Sequence, residues 1–287
     1  MEFSEHFVTA ADGVRIYARH YAGPAAALTP VVCLPGLTRN SRDFEVIAPL
    51  LAPHRPVVAL DFRGRGQSGW TDPATYRPDQ EAADTLAVLD HLGIGRFAVI
   101  GTSRGGIVAL FLAARAAPRL AGVLFNDIGP RIDIPGLLRI RSYLGSDRRY
   151  AGWDEAIAAL KASNPGLETL SETEWAAFAR RIYRTEDGQL RADYDPRLAQ
   201  GFPPAAEIEA GKMPELWGLL DPLAQRPCLV LRGEHSDLLS EATVAAMHRP
   251  LKRLAAVTVA ERGHVPFLDE PESLTAIRRW LRDVDQD

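Results

Sequence analysis

The chain has 287 residues, 46% hydrophobic and 24% charged, enough for a large apolar interior in one domain or in a core with an insertion. A formal net charge of −4 gives no electrostatic footing for nucleic acid or an anionic membrane, and no apolar run reaches the length of about 18 residues that suggests a membrane span. Met1-Glu2-Phe3-Ser4-Glu5-His6 carries acidic residues where a secretory leader has basic ones, so a cytoplasmic location is the expectation.

Antiparallel strands are expected first: His6-Phe7-Val8-Thr9, a turn at Asp12-Gly13, then alternation from Val14 to Ala18. After Pro30, short apolar runs alternate with helical stretches. Val31-Val32-Cys33-Leu34 precedes a helix near 43–51, and Val57-Val58-Ala59-Leu60 precedes one over about 79–92. Phe97-Ala98-Val99-Ile100 leads into a helix behind Ser103, and Gly122-Val123-Leu124-Phe125 follows. Such runs between helices mark a parallel sheet covered on both faces. Over 131–221 the rhythm is lost, and helices are predicted at 136–144, at 153–162, and from the Ser171-Glu172-Thr173-Glu174 capping box to 184. Strands resume at Cys228-Leu229-Val230-Leu231 and Ala256-Val257-Thr258-Val259, before a last helix over 271–281. The predicted architecture is α/β: a mostly parallel, doubly wound core from 1–130 and 222–287, with a helical insertion at 131–221 that caps it. Cys33 and Cys228 fall inside strand-like runs as small buried hydrophobes, with no disulfide framework or Cys-based metal site.

The most informative run is Gly101-Thr102-Ser103-Arg104-Gly105, placed between an apolar strand and a helical pattern. That context gives Gly-x-Ser-x-Gly a mechanism: a strained elbow lifts the serine hydroxyl above the sheet edge, and the following helix aims N–H groups at developing negative charge. A plain tight turn is the rival reading. Gly64-Arg65-Gly66-Gln67-Ser68-Gly69 satisfies a dinucleotide fingerprint, but Trp70 to Pro78 stays irregular where a helix is required, so these glycines read as turn chemistry. No cofactor or metal is expected.

A serine nucleophile needs a base, and of seven histidines His264 lies directly after the last strand, with Gly263 before it. The base needs a carboxylate. Asp237 follows the penultimate strand; Asp127, in Phe125-Asn126-Asp127, is its rival, and Glu234 is a third candidate.

These segments, with Leu34-Pro35-Gly36-Leu37-Thr38 and Asp61 to Ser68, resemble the α/β-hydrolase fold family along nearly the whole chain. The insertion resembles that of its capped esterase-like and carbon–carbon hydrolase branch. The resemblance implies Ser103 as nucleophile, His264 as base, Asp237 as acid, and an oxyanion hole from the N–H groups of Leu37 and Arg104. Asp237 is preferred to Asp127 because 233–239 reproduces the family's acid loop and adjoins His264 in strand order. Three positions differ from the family's habit. Pro35 stands where His is common, Arg104 where Met, Leu or Gln is, and Val265 where carbon–carbon hydrolases carry Trp. Arg104 has two readings: it braces the elbow through a buried carboxylate, or it meets an anionic substrate. The expected activity is hydrolysis of a small-molecule ester, thioester or lactone through an acyl-enzyme. Carbon–carbon cleavage, amide hydrolysis, acyl transfer and a non-catalytic ligand receptor are the alternatives on this fold. Trp153, Trp175, Phe178, Tyr183 and Trp217 offer an apolar cap wall, of which one or two are expected to touch substrate.

Overall fold

The computed structural model describes residues 2–24 and 28–287. Two strands open it, β1 (Ser4–Thr9) and β2 (Arg15–Tyr21), paired antiparallel across the expected Asp12-Gly13 turn. β3 (Val31–Leu34), β4 (Val57–Leu60), β5 (Phe97–Thr102) and β6 (Leu120–Asn126) are buried at every position. That is what continuous apolar runs require of strands covered on both faces.

Among the helices, the one expected at 43–51 is instead a 3₁₀ turn, Ser41–Glu45, and a single α turn, α1 (Ala48–Leu51). Pro49 lacks the N–H that would continue the earlier turn and is tolerated only at a helix start. α2 (Pro78–His91) and α3 (Arg104–Ala116) match their predicted patterns.

After β6 the chain leaves the sheet. It forms α4 (Ile134–Tyr143), α5 (Trp153–Ser163) and α6 (Glu172–Ile182), the last opened by the Ser171–Glu174 capping box. α6 stops two residues short of its expected end because Tyr183 begins a hairpin, β7 (Tyr183–Glu186) with β8 (Gln189–Ala192). Its turn is Asp187-Gly188, both at positive φ, the two-residue pairing that matches strand twist. A short α7 (Ala205–Glu209) follows. The sheet then resumes with β9 (Cys228–Gly233), α8 (Glu241–Met247), β10 (Leu254–Val259) and α9 (Pro271–Asp285).

The main sheet runs β1-β2-β4-β3-β5-β6-β9-β10, parallel from β4 to β10. One apolar cluster fills each face, with Val99, Val123 and Val230 pointing to one side and Ile100, Leu124 and Leu231 to the other. β3 is followed by β4 on one side while β5 lies on the other, so strand order reverses between β3 and β5. The crevice outside their carboxyl ends is where such sheets bind ligands. No helix among the described residues is long and apolar enough to cross a membrane.

Candidate active site

β5 ends at Thr102 and α3 starts at Arg104, leaving Ser103 alone in the elbow at φ 50°, ψ −113°. A non-glycine residue there carries on the order of 1–3 kcal/mol of strain, which the surrounding packing must hold. The flanking glycines explain how. A Cβ on Gly101 would lie 2.6 Å from Gly106 N, and one on Gly105 would lie 2.1 Å from Leu34 O. Only glycines let the helix pack this closely on β5 and β3.

Ser103 Oγ lies 2.9 Å from His264 Nε2, and His264 Nδ1 lies 2.7 Å from Asp127 Oδ2. Asp127 is fully buried. Its Oδ1 accepts from Gly233 N–H at 2.9 Å, and its Oδ2 also accepts from Ser236 Oγ at 2.6 Å. Asp127 itself has φ 54°, a left-handed turn that aspartate tolerates, and its N–H donates to Leu231 O at 2.7 Å. The His264 loop is tied to the same place: Asn126 Nδ2 donates to Pro266 O at 2.9 Å.

The structure corrects the preference for Asp237. That carboxylate accepts a two-pronged bond from Arg139 of α4, Nε to Oδ2 at 2.6 Å and Nη2 to Oδ1 at 2.8 Å. Burial opposes its ionisation, but Arg139 outweighs burial and holds the carboxyl below the usual aspartate range. The physical reason lies in strand order. β6 sits between β5 and β9, so the residue leaving β6 emerges beside Ser103, whereas the loop leaving β9 turns toward α4. That loop still contributes, through Gly233 and Ser236, to fixing Asp127. Glu234 Oε2 caps Glu261 N–H at 2.9 Å instead.

Arg104 takes the bracing course of its two readings. Nε donates to Glu81 Oε2 at 2.7 Å, and Nη2 to Tyr76 O at 3.0 Å. Glu81 is fully buried and also forms an ion pair with Arg65 at 2.9 Å. Burial opposes its charge, yet the two guanidinium groups hold its carboxyl below the ordinary range, while burial pulls Arg65 down to about 10. Arg65 Nε donates to Leu37 O at 2.8 Å, fixing the loop after β3. Here the Gly64–Gly69 turn finds its use: it carries Arg65 inward beneath the site. The glycines mark the turn in the sequence, but nothing beside Arg65 marks that residue as buried.

Gly36 lies in this loop, and a Cβ on it would be 4.0 Å from Ser103 Cβ. Arg104 is the first residue of α3, where N–H groups have no intrahelical acceptor. The arrangement suits a serine hydroxyl passing its proton to an imidazole held by a buried carboxylate. Among the described residues no group of three or more His, Cys, Asp or Glu side chains could hold a metal ion.

Ser103 and His264 border a cavity of about 510 Å³ that extends under the 131–221 segment. Phe178 and Tyr183 line it; Trp175 is buried among the helices of that segment, and Trp217 packs on the main core.

The alpha/beta hydrolase family model matches residues 31–277. A crystal structure of an alpha/beta hydrolase from Novosphingobium aromaticivorans is 41% identical, with a TM-score of 0.90 over 98% of this chain and 99% of that one. The 3-hydroxybutyrate-oligomer hydrolase of Cupriavidus necator is 32% identical over 269 residues, 91% of each protein. An esterase of Mycobacterium tuberculosis is 24% identical, over 88% of this chain and 83% of its own.

Proposed function

Since the chain belongs to the alpha/beta hydrolase family and is a hydrolase, we propose that it cleaves carboxylic esters, thioesters or lactones of small molecules through an acyl-enzyme on Ser103. The observation that carries this reading is the continuous line from Ser103 Oγ through both ring nitrogens of His264 to buried Asp127. Ser103 attacks the carbonyl as His264 Nε2 takes its proton. Asp127 holds Nδ1–H in place and stabilises the imidazolium, without itself taking the proton. The N–H groups of Leu37 and Arg104 receive the tetrahedral oxyanion. His264 then protonates the leaving alcohol, thiol or ring oxygen, and water repeats the sequence to release the acid. No metal or organic cofactor enters these steps. The likeness to an oligoester hydrolase favours hydroxy-acid esters within the class.

We further infer that 131–221 is a cap that shapes the cavity. Its Pro165-Gly166 corner abuts the His264 loop so closely that a Cβ on Gly263 would lie 2.4 Å from Pro165 O. A phosphonate ester reagent should label a single residue. Ser103→Ala should abolish that label and lower kcat by about 10⁶-fold if the three groups act as a unit. Labelling that survives the substitution contradicts the reading.

A further inference from the structure

Four arginines line the cavity: Arg39, Arg139, Arg148 and Arg181. Three have carboxylate partners. Arg39 pairs with Asp43, Arg139 with Asp237, and Arg148 with Glu155 at 3.4 Å. Arg181 has none within 4 Å among the described residues. It is only 9% exposed, and its Nε is sealed from solvent without a hydrogen-bond partner. Arg65, Arg184, Arg191 and Arg232 also leave one buried nitrogen unpaired, but each keeps an ion pair, to Glu81, Glu186, Glu186 and Glu241 respectively. Arg181 keeps only aromatic company, its guanidinium 5.3 Å from the Phe267 ring centroid and 5.9 Å from that of Phe178.

A buried guanidinium with no counter-ion in contact loses hydration that nothing in the fold fully replaces. Cation–π contact with the two rings returns only part of that loss, so the deficit stays open. Burial lowers its pKa from the usual guanidinium range; Asp43, Asp269 and Glu45 favour its charge from beyond contact distance, and Arg39 opposes it. A guanidinium stays charged at neutral pH regardless. Arg181 lines the cavity that also holds Ser103, so a counter-ion bound there can meet its guanidinium.

We propose that Arg181 is a carboxylate anchor, and that the preferred substrates are anionic esters carrying a free carboxylate besides the scissile bond. This rests on the ester-hydrolase reading and makes Arg181 a specificity residue for it. The carboxylate sits on the alcohol portion in an acyloxy acid and on the acyl portion in a dicarboxylic half-ester. Both present the same planar anion to a planar donor fork.

Two matched pairs test the proposal: 3-acetoxybutanoate against its carboxamide, and monoethyl succinate against ethyl succinamate. The protein should favour the carboxylate member of at least one pair by about 10–100-fold in kcat/KM, the range of a charge-assisted bond. The pair showing the preference identifies the side that carries the anion. Arg181→Met should collapse that ratio toward one, chiefly through KM, and Arg181→Lys should restore part of it. Arg181→Met should also keep or raise Tm, because it removes an uncompensated charge. Calorimetry with 3-hydroxybutyrate and succinate gives a readout independent of turnover. Binding to the protein that vanishes in Arg181→Met upholds the anchor even if no ester is cleaved, an outcome that would sink the ester-hydrolase reading alone. No binding of either anion, a ratio that survives Arg181→Met, or a fall in Tm on that substitution overturns the proposal.

Discussion

The loop leaving β6 and the loop leaving β9 each carry an aspartate at one edge of one sheet, and the two carboxylates have different partners. Asp127 is fully buried and accepts from a backbone N–H, a serine hydroxyl and the His264 ring. Asp237 is 26% exposed, and both its oxygens are taken by Arg139 from α4. Each carboxylate is satisfied, so neither is free to replace the other without breaking bonds it already makes. The difference comes from lateral position in the sheet. A residue's neighbours at the sheet edge are set by which strands lie beside its own, and β6 lies beside β5 whereas β9 does not.

The largest expected effect separates the two loops outright. Asp127→Asn should lower kcat by about 10⁴-fold, because an amide leaves imidazole in the wrong tautomer with the geometry otherwise kept. Steady-state turnover of an activated ester reads this, and a loss of less than tenfold would mean that Asp127 does not orient His264. Ser236→Ala sharpens it from within the β9 loop, by removing one donor from Asp127 while leaving the carboxylate in place. A fall in kcat of about tenfold is expected, with the label on Ser103 intact; no change would mean that Gly233 N–H alone fixes Asp127. The smallest effect belongs to Asp237→Asn. It should leave kcat within a few-fold and cost about 1 kcal/mol or less, since the pair with Arg139 is part-exposed.

That last cost has a defined pH dependence. Arg139 holds the Asp237 carboxyl below its ordinary value against the effect of burial. The pair's stabilisation is therefore complete above the unfolded-state pKa of about 3.9 and is lost as pH falls through the lower folded-state value. Thermal melts of the protein and of Asp237→Asn should differ by a constant amount from pH 8 to pH 5 and converge below about pH 4. Convergence already near pH 6 would mean that Arg139 does not control this carboxyl.

What could be read in the sequence follows the same division between local and lateral. Ser103 and His264 stand out because a strand, a glycine and a loop end are features of contiguous residues. The choice between Asp127 and Asp237 depends on strand order, which no local window contains. The β7–β8 hairpin was legible in principle, since Asp187-Gly188 between alternating residues is a turn signal, but the α6 periodicity running into Arg184 hid it. The buried pairing of Arg65 and Arg104 with Glu81 was only half legible: Arg104 suggested a carboxylate, and nothing nearby named Glu81. Arg181 shows the same limit. In the last turn of α6 it reads as an ordinary cation at a helix C-terminus. Only burial without a partner distinguishes it from Arg180 beside it.

Proton NMR of the His264 imidazole can show whether Asp127 or Asp237 is the carboxylate that holds its ring. A Nδ1–H bonded to a buried carboxylate gives a far-downfield resonance. This resonance should be present in the protein and in Asp237→Asn, and lost or moved sharply upfield in Asp127→Asn. A resonance that persists in Asp127→Asn and disappears in Asp237→Asn would contradict it.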